Sequence, residues 1–368
     1  MSALRSLQYK LASARLLQKA CSQNSVHPST TAQAAAAAAA IVNRRAVNLS
    51  TRGRGVYSMQ HSHCQVPRRK PHPCSSVESD VTNSHRSLLQ VPCAGSEYST
   101  RSSADMAPGL VALVSGAGGG IGGELVRQLL HRPDTEAVIA GSRSGGDDSW
   151  LDGPLGELAK DPEVGHKLRV VTMDFMKPST IYDLFYDIKR TWGKLDLLIN
   201  ATGVLHTDTV RPETSMKRLT LESLQINFQI NTFGPALLVA AMEPVLRKSN
   251  YCQVAKVASL SARVGSIADN RLGGWYSYRA SKAALNQLTK TMANEFKMTK
   301  GRGTPVVAMV LHPGTVDTKL SKPFQSNVPE DKLFDTERAA RQLLEILDKA
   351  DESDNGKFFA WDGQEIPW

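Results

Sequence analysis

Two residues four positions apart, Tyr278 and Lys282, are the side chains of this sequence best suited to proton transfer. They lie at the start of a strong helical pattern, where this spacing places both on one face of the helix. A free phenol has a pKa near 10, which is poorly matched to catalysis at neutral pH. An ammonium about 4 Å away would stabilise the phenolate by on the order of 4 kcal/mol, or about 3 pKa units. The pair therefore predicts that Tyr278 donates a proton and has a pKa near neutrality.

The pair is weak evidence when taken alone. Chance gives a tyrosine and a lysine at this spacing in roughly every second chain of this kind, usually as a surface tyrosine over a lysine stem. The pair becomes stronger evidence because it follows the other motifs of the chain in a fixed order. The first of these motifs is rich in glycine.

This glycine-rich loop, from Ser115 to Gly122, follows a short apolar run and leads into a helical pattern. Glycine leaves room for the backbone to approach a pyrophosphate, and the helix N-terminus adds free N–H groups and a favourable dipole. In a strand–turn–helix context the loop predicts dinucleotide binding more strongly than a merely tight turn. The expected cofactor contacts in it are Ser115, Gly116, Gly118, Gly120, Ile121 and Gly122.

The choice of nucleotide is expected at the end of the second strand. An acidic residue there would bind a ribose 2′-OH and repel a 2′-phosphate. This sequence has Ser142 and Arg143 instead, and no carboxylate before Asp147. A guanidinium pairs well with a phosphate, so the sequence favours NADP(H) over NAD(H). The alternative is that Arg143 is only solvated or stacks on the adenine.

Apolar runs alternate with helical patterns through the C-terminal two thirds of the chain, which favours a parallel sheet covered on both faces. The expected architecture is α/β, a single Rossmann-type doubly wound domain with a seven-stranded parallel sheet over residues 107–368. The apolar runs are 110–114, 137–140, 168–173, 195–199, 254–258, 306–311 and 358–361, and the helical patterns are 181–192, 221–245, 278–296 and 336–347.

The segment before this domain differs sharply in charge. Residues 1–77 contain 11 Lys and Arg and no Asp or Glu, which leaves 44 − 11 = 33 basic and 35 acidic residues in the rest. The high pI therefore belongs to this basic leader, and no nucleic-acid partner is expected for the domain. The leader predicts a disordered targeting segment for a mitochondrion or chloroplast, followed by a linker over residues 78–106. A disordered tail, or a start near Met106 that leaves the protein cytoplasmic, is the alternative.

Membrane insertion and metal binding are not expected. The sequence has no apolar stretch of 18 residues, so it predicts no transmembrane helix. Four of the five cysteines precede residue 106, which excludes a disulfide framework or a cysteine metal site in the domain. Cys252 is interpreted as a small buried residue. His206 and His312 have no partner at ligand spacing.

Taken together, these stretches resemble the short-chain dehydrogenase/reductase family, and within it the C-factor-like group in an organellar form of plant or algal type. The resemblance covers about 110–368. The stretches that carry it are 115–122, 200–203, 261–267, 269–282, 311–318 and the ending 356–368.

The resemblance implies a role for each residue of the site. Tyr278 would give a proton to a carbonyl oxygen, Lys282 would bind the nicotinamide ribose and lower the tyrosine pKa, and Asn231 would hold a water that links Lys282 to solvent. The other implied cofactor contacts are Asp174 at the adenine, Asn200, Ala201 and Gly203 along the fourth strand, and Pro313, Gly314, Val316 and Thr318 at the nicotinamide amide.

Two positions depart from the family pattern. The usual Asn-Asn-Ala-Gly reads Asn-Ala-Thr-Gly at residues 200–203, which removes one polar side chain. The second residue of the usual serine pair, which polarises the carbonyl, falls on Ala262. We assign this role to Ser261, while Ser259 and Ser266 remain alternatives.

The sequence thus predicts an NADP(H)-dependent oxidoreductase that moves a hydride between nicotinamide and a small carbonyl or alcohol substrate. The substrate is not specified, and its pocket is expected between segments 204–219 and 320–333, where aromatic residues could line the pocket or only pack. Two other functions stay open: an NADP(H)-binding signalling or regulatory protein with little turnover, and a ketoacyl reductase. The apolar face of 221–245 is expected to be core or a homo-oligomer contact. The aromatic residues in question are Trp275, Tyr276, Trp361 and Trp368.

Overall fold

The computed structural model describes residues 108–145 and 148–368. The predicted leader and linker lie outside the described residues. Within them the apolar runs form strands, and most of these strands are buried on both sides of a sheet, whereas Leu168–Thr172 at the sheet edge is only partly buried. The strands are β1 Leu110–Ser115, β2 Thr135–Ser142, β3 Leu168–Thr172, β4 Leu197–Asn200, β5 Ala255–Leu260, β6 Val306–His312, β7 Thr315–Val316, β8 Leu333–Phe334 and β9 Phe358–Ala360.

Seven of these strands form one parallel sheet in the order β3-β2-β1-β4-β5-β6-β9. The predicted seven-stranded doubly wound domain is therefore confirmed. Strand order reverses at β1, which pairs with β2 on one side and β4 on the other. Ligands of such sheets bind outside the carboxyl ends of the strands at this reversal, and the glycine loop and residues 200–203 follow the ends of β1 and β4 there.

Helices cover both faces of the sheet. They are α1 Gly120–Leu130, α2 Pro154–Lys160, α3 Ser179–Thr191, α4 Leu221–Phe228, α5 Gly234–Leu246, α6 Tyr276–Met298 and α7 Thr336–Lys349. Alternate residues of β1 point to opposite faces, as a strand requires. Ala112 and Val114 join the core under α1 and α7, whereas Val111 and Leu113 join the core under α3 and α5.

The predicted single helix over 221–245 is broken into two by a π-helical turn, Gln229–Phe233. The break has a local cause, since Pro235 has no N–H to donate to the carbonyl of Asn231, four residues earlier. It also has a tertiary cause, because Asn231 and Thr232 both hydrogen-bond to Ser281 on α6. The apolar pattern continues through the break, so sequence periodicity did not show it.

A buried carboxylate holds the opposite end of the sheet together. Asp196 accepts hydrogen bonds from the Val111 N–H at 2.8 Å and the Ser249 hydroxyl at 2.7 Å. The ammonium of Lys194 lies 3.1 Å from it, and the Asp196 side chain is almost fully buried. This cluster joins β1 to the segments before β4 and β5, far along the strands from the motifs at their carboxyl ends.

Candidate active site

The glycine loop between β1 and α1 is closely packed at several positions. A Cβ on Gly122 would lie 2.2 Å from the Gly116 carbonyl oxygen, and one on Gly116 would lie 2.9 Å from the Thr202 backbone. Gly116 and Gly120 also have φ values of +70° and +56°, which favour glycine. Only glycine at these positions lets the loop pack this closely at the start of α1, and we call this glycine loop the glycine cradle. The loop geometry therefore fits a pyrophosphate at a helix N-terminus.

The end of β2 lies against the same loop. The Ser142 side chain is buried, and its hydroxyl is 3.1 Å from the Ser144 hydroxyl. A Cβ on Gly118 would lie 3.0 Å from that Ser142 oxygen, so the two predicted cofactor segments are in contact. Arg143 follows and is exposed to solvent. Asp174, just after β3, is half-buried and accepts a hydrogen bond from the Met176 N–H.

The departure from the family pattern after β4 is compensated locally. The Thr202 hydroxyl and N–H both donate to the Ser115 hydroxyl, at 3.0 and 3.3 Å, and so join the segment after β4 to the end of β1. Asn200 donates from its Nδ2 to the Ser259 hydroxyl at 3.2 Å. The Asn200 Oδ1 is buried without a partner among the described residues, which leaves one acceptor available at the predicted cofactor edge. Ala201 is half-buried beside it.

The loop expected to face the nicotinamide is held by a short second sheet, in which β7 pairs with β8. Val316 is buried in it, and the Thr318 methyl group would lie 3.4 Å from a Cβ on Gly120. Gly314 has a φ of +81°, and a Cβ there would lie 2.6 Å from the Phe334 ring. Pro313 is buried in the same turn. The Thr318 end of this loop therefore lies against the start of α1.

Tyr278 and Lys282 lie on one face of α6, as the spacing predicts, and both are almost completely buried. The Lys282 ammonium donates to the Leu260 carbonyl at 2.8 Å and lies 5.8 Å from the centre of the Tyr278 ring. A Cβ on Gly203 would lie 3.5 Å from this ammonium, so the segment after β4 reaches the same place. The glycine loop, the fourth strand and the catalytic pair thus form one continuous site.

The expected direction of the tyrosine pKa was wrong for the protein alone. Burial raises the pKa of Tyr278 above its ordinary value, and burial lowers the pKa of Lys282 to about 8. The reason is that the Lys282 ammonium is directed to the Leu260 carbonyl, while the phenol sits in an environment that disfavours charge. Tyr278 is therefore held in its protonated form, which is the form a proton donor needs.

The three candidate serines differ in their partners. The Ser259 hydroxyl accepts from Asn200, and the Ser266 hydroxyl donates to the Pro367 carbonyl. The Ser261 hydroxyl is buried and has no hydrogen-bond partner among the described residues. Ser261 directly follows Leu260, whose carbonyl accepts from the Lys282 ammonium, so the Ser261 backbone lies next to the catalytic pair. This pattern supports the choice of Ser261.

Asn231 stands at the centre of the hydrogen bonds that join this region. Its Oδ1 accepts from the Val204 N–H, and its Nδ2 lies within 2.8 Å of the Val204 carbonyl. The same Nδ2 is 3.2 Å from the Asn227 Oδ1 and 3.1 Å from the Ser281 hydroxyl. The side chain therefore joins the segment after β4 to α4 and α6.

A family model described as short chain dehydrogenase matches residues 110–329 of the chain, which include every motif of the site up to Thr318. The chain belongs to the short-chain dehydrogenase/reductase family. This oxidoreductase family acts on C=O and CH–OH groups, in agreement with the predicted chemistry.

Two relatives of this short-chain dehydrogenase show how far the similarity extends. The C-signal protein of Myxococcus xanthus is 33% identical over 176 residues, which are 48% of this chain and 94% of that protein. The 1-hydroxy-2-glutathionyl-2-methyl-3-butene dehydrogenase of Rhodococcus sp. (strain AD45) is 30% identical over 256 residues, which are 70% of this chain and 98% of that protein.

Two solved structures have the same fold as this short-chain dehydrogenase. The NADPH-bound carbonyl reductase from chicken fatty liver is 27% identical, with a TM-score of 0.59, over 71% of this chain and 99% of its own. The carbonyl reductase Sniffer of D. melanogaster is 24% identical with a TM-score of 0.59, over 72% and 100% of the two chains. At that identity the second likeness shows the fold alone.

Aromatic side chains of this dehydrogenase lie next to Tyr278, where the substrate pocket was expected. The Trp275 ring centre lies 6.2 Å from that of Tyr278 and 5.0 Å from that of Phe324. His206 lies 6.1 Å from Phe324, and its Nε2 is 3.2 Å from the Leu320 carbonyl oxygen. The two predicted wall segments therefore meet here. Phe324 carried no signal in the sequence.

The other predicted aromatic wall residues belong mainly to packing. Trp361 packs edge-on against Phe334, with ring centres 4.8 Å apart, and Trp368 stacks on Phe358 at 5.7 Å. Tyr276 is half-buried at the first residue of α6. The sequence could not separate these residues from Trp275, because the contacts that distinguish them join distant segments of the chain.

The described part of this dehydrogenase holds no group of three or more His, Cys, Asp or Glu side chains placed to bind a metal. None of its described helices is long and apolar enough to cross a membrane. Cys252 is exposed, so its interpretation as a buried residue was wrong. It follows α5 in a surface segment, where a small apolar side chain needs no burial.

Proposed function

We propose that this protein is an NADP(H)-dependent carbonyl reductase in which Tyr278 protonates the carbonyl oxygen and Ser261 orients it. The observation that carries the proposal is the buried Ser261 hydroxyl, which has no hydrogen-bond partner in the described part of the chain and belongs to the residue after Leu260, whose carbonyl binds Lys282. A polar group in such a place costs free energy unless a ligand completes its hydrogen bonds. A substrate oxygen between Ser261 and the protonated Tyr278 would do so.

NADPH fits the residues that are present. Close packing at Gly116 and Gly122 leaves no room for side chains there, whereas the space beside Gly119 at the N-terminus of α1 is open, with no atom within 4 Å of a Cβ placed on it. A phosphate group would fit in that space, and the buried Asn200 Oδ1 lacks a partner among the described residues. When bound, the nicotinamide would supply the hydride to the carbonyl carbon. Lys282, with its pKa near 8, is charged at neutral pH and would bind the ribose hydroxyls.

The preference for NADP(H) rests on the end of β2. Arg143 is exposed there, next to the buried Ser142, and a guanidinium can pair with a 2′-phosphate. The carbonyl reductase of chicken fatty liver, to which this chain is similar, binds NADPH. NAD(H) is the less favoured cofactor because no carboxylate follows β2 to hold a 2′-hydroxyl before Asp147.

The proposal is tested by the oxidation of NADPH and NADH by the full chain with a panel of aldehydes, ketones and quinones. We expect turnover with NADPH, and a rate that falls by about 10²–10⁴ in Tyr278→Phe, because this change removes a proton donor and little volume. NADPH binding should survive the change. A wild-type protein that binds NADPH but reduces no carbonyl would refute the proposal.

That outcome would instead support a second function, an NADP(H)-binding regulator with little turnover. The similarity to the C-signal protein, together with Ala262 where a serine is usual, favours this candidate and a place in the C-factor-like group. The two functions therefore separate on turnover, not on cofactor binding.

We further propose that residues 1–77 direct the protein to a mitochondrion or chloroplast, as an organellar member of plant or algal type would require. The support is that these residues include 11 Lys and Arg and no Asp or Glu. Sequencing the N-terminus of the protein purified from cells tests this, since an intact Met1 contradicts import. A start at Met106 would instead indicate the cytoplasm.

Self-association is a separate proposal. Tyr182 and Tyr186 on α3, and Phe233 beside Leu237 at the start of α5, are large apolar side chains exposed on helices that pack together. An apolar face of this kind is typical of a contact between subunits. Sedimentation of the full chain should give the mass of an oligomer, and Tyr186→Glu should reduce it.

A further inference from the structure

Glu213 is a buried carboxylate in the segment between β4 and α4, and its environment is unusual. It is 1% exposed, and the groups that bind it are hydroxyl and N–H donors instead of a cation. Burial works to raise its pKa, but the hydrogen bonds from Ser223 and Ser277 outweigh this and hold the pKa below its usual value. A charge that is buried without a counter-ion needs every one of these donors.

The donors come from two helices. The Ser223 hydroxyl on α4 donates to Glu213 Oε1 at 2.6 Å, and the Ser277 N–H in the first turn of α6 donates to Oε2 at 3.2 Å. An N–H in the first turn of a helix has no partner within the helix, and the helix dipole favours an anion there. Glu213 thus joins the substrate segment to the start of the helix that carries Tyr278.

The backbone of Glu213 holds the turn before that helix. Its carbonyl accepts from the Trp275 N–H at 2.6 Å. Gly273, Gly274 and Trp275 have consecutive φ values of +63°, +69° and +48°, and Trp275 is the one described non-glycine residue with a positive φ. For tryptophan this conformation is strained, so the surroundings must enforce it. Arg279 contributes by donating to the carbonyls of Gly273 and Gly274.

The strained turn determines where the Trp275 ring lies. If the Trp275 backbone left this positive-φ conformation, its ring would move away from both Tyr278 and Phe324, which it now contacts. We propose that Glu213 is a positioning residue, which fixes Trp275 as the wall of the substrate pocket and so favours carbonyl substrates with a flat apolar group. This inference rests on the proposed carbonyl reductase function.

Kinetics separate this role from general stability. With NADPH as cofactor, Glu213→Ala should raise KM for 4-nitrobenzaldehyde by between about tenfold and a hundredfold, the loss expected for a charged hydrogen bond. KM for propanal, which is too short to reach Trp275, should change less than about threefold by the same reasoning. Glu213→Gln should be intermediate, because its amide keeps one acceptor for Ser277 and can donate to Ser223.

Two further variants make the comparison sharp. Glu222 is an exposed residue in the first turn of α4, and its carboxylate accepts from the Thr209 hydroxyl. Glu222→Ala should leave both KM values unchanged. Trp275→Gly should lose the preference for the aromatic aldehyde. If Glu213 acts through Trp275, adding Glu213→Ala to Trp275→Gly should then cause no further loss of that preference.

Hydrogen exchange tests the positioning step without turnover. In the full chain, the Ser277 amide should exchange about tenfold to a hundredfold faster in Glu213→Ala than in the wild type or in Glu222→Ala. Unchanged exchange would overturn the proposal. Faster exchange with equal losses for both aldehydes would overturn the part played by Trp275.

A wild-type protein that reduces no carbonyl compound of the panel, these two aldehydes included, would refute the proposed function. It would also overturn the role of Glu213 in substrate preference, whereas the exchange result would still decide whether Glu213 holds the turn.

Discussion

Replacing Ser261 by alanine should separate stability from activity in this short-chain dehydrogenase. The Ser261 hydroxyl is buried and unpartnered among the described residues, and such a group costs about 1–3 kcal/mol in the folded state. Its removal should therefore leave the free energy of unfolding unchanged or raise it by about 1 kcal/mol. For a domain of this size the latter corresponds to a Tm increase of about 2–4 °C.

The same change should be costly in catalysis. A preorganised donor to a reacting oxygen is worth about 10²–10³ in kcat, so kcat/KM for NADPH-dependent carbonyl reduction should fall by that factor. The affinity for NADPH should not change, because the glycine cradle is untouched. Calorimetry and steady-state kinetics on the same preparation give both numbers.

Ser259→Ala is the matched control, because its hydroxyl is equally buried but accepts from the Asn200 amide. Its loss leaves that amide unpaired, which should lower the free energy of unfolding by about 1–3 kcal/mol and change kcat little. The reasoning is refuted if Ser261→Ala keeps its activity, or if it is the variant that melts earlier.

Three other changes have definite expected results. Arg143→Ala should weaken NADPH binding by about 1–3 kcal/mol and NADH binding much less, whereas equal losses in a fluorescence titration would refute its role. Lys282→Met should abolish a rise in stability between pH 8 and 10.5. The folded pKa of about 8 lies below the unfolded value, so the burial penalty is fully present below pH 8 and is relieved above it, by about 3 kcal/mol in all. Denaturant unfolding of both proteins at several pH values measures that difference. Asp196→Ala should lower the free energy of unfolding by about 3–5 kcal/mol, because it leaves the buried Lys194 ammonium with only the part-exposed Glu136 at 3.7 Å and removes the acceptor of the Val111 N–H and the Ser249 hydroxyl. A loss under about 1 kcal/mol would contradict this.

Much of the fold could be predicted because its signals are local. Continuous apolar runs of the length of a strand, as in Val306–His312, have few alternatives to a buried parallel strand. The positions of Arg143 and the glycine loop directly after strands could also be predicted from the sequence. These signals depend on short stretches of chain, which is the range over which a sequence pattern is informative.

The parts that could not be predicted depend on contacts between distant segments. Spacing places Lys282 and Tyr278 on one face, but does not show that the ammonium is directed to Leu260. Glu213 lies among polar residues and looks solvated in the sequence, although donors from two helices bury it. Ser261 could be preferred only from the structure, because the choice depends on the hydrogen-bond partners of Ser259 and Ser266.

The π-helical turn Gln229–Phe233 limits the insertions and deletions that this part of the chain can accept. An α-helix turns by about 100° per residue, so deleting one residue there would restore a regular helix and rotate α4 by that angle relative to α5. Asn231 would then no longer face both Val204 and Ser281. Single-residue insertions and deletions should therefore be absent here from active homologues. An alignment gap placed within these five residues would therefore mark a protein that has lost this site.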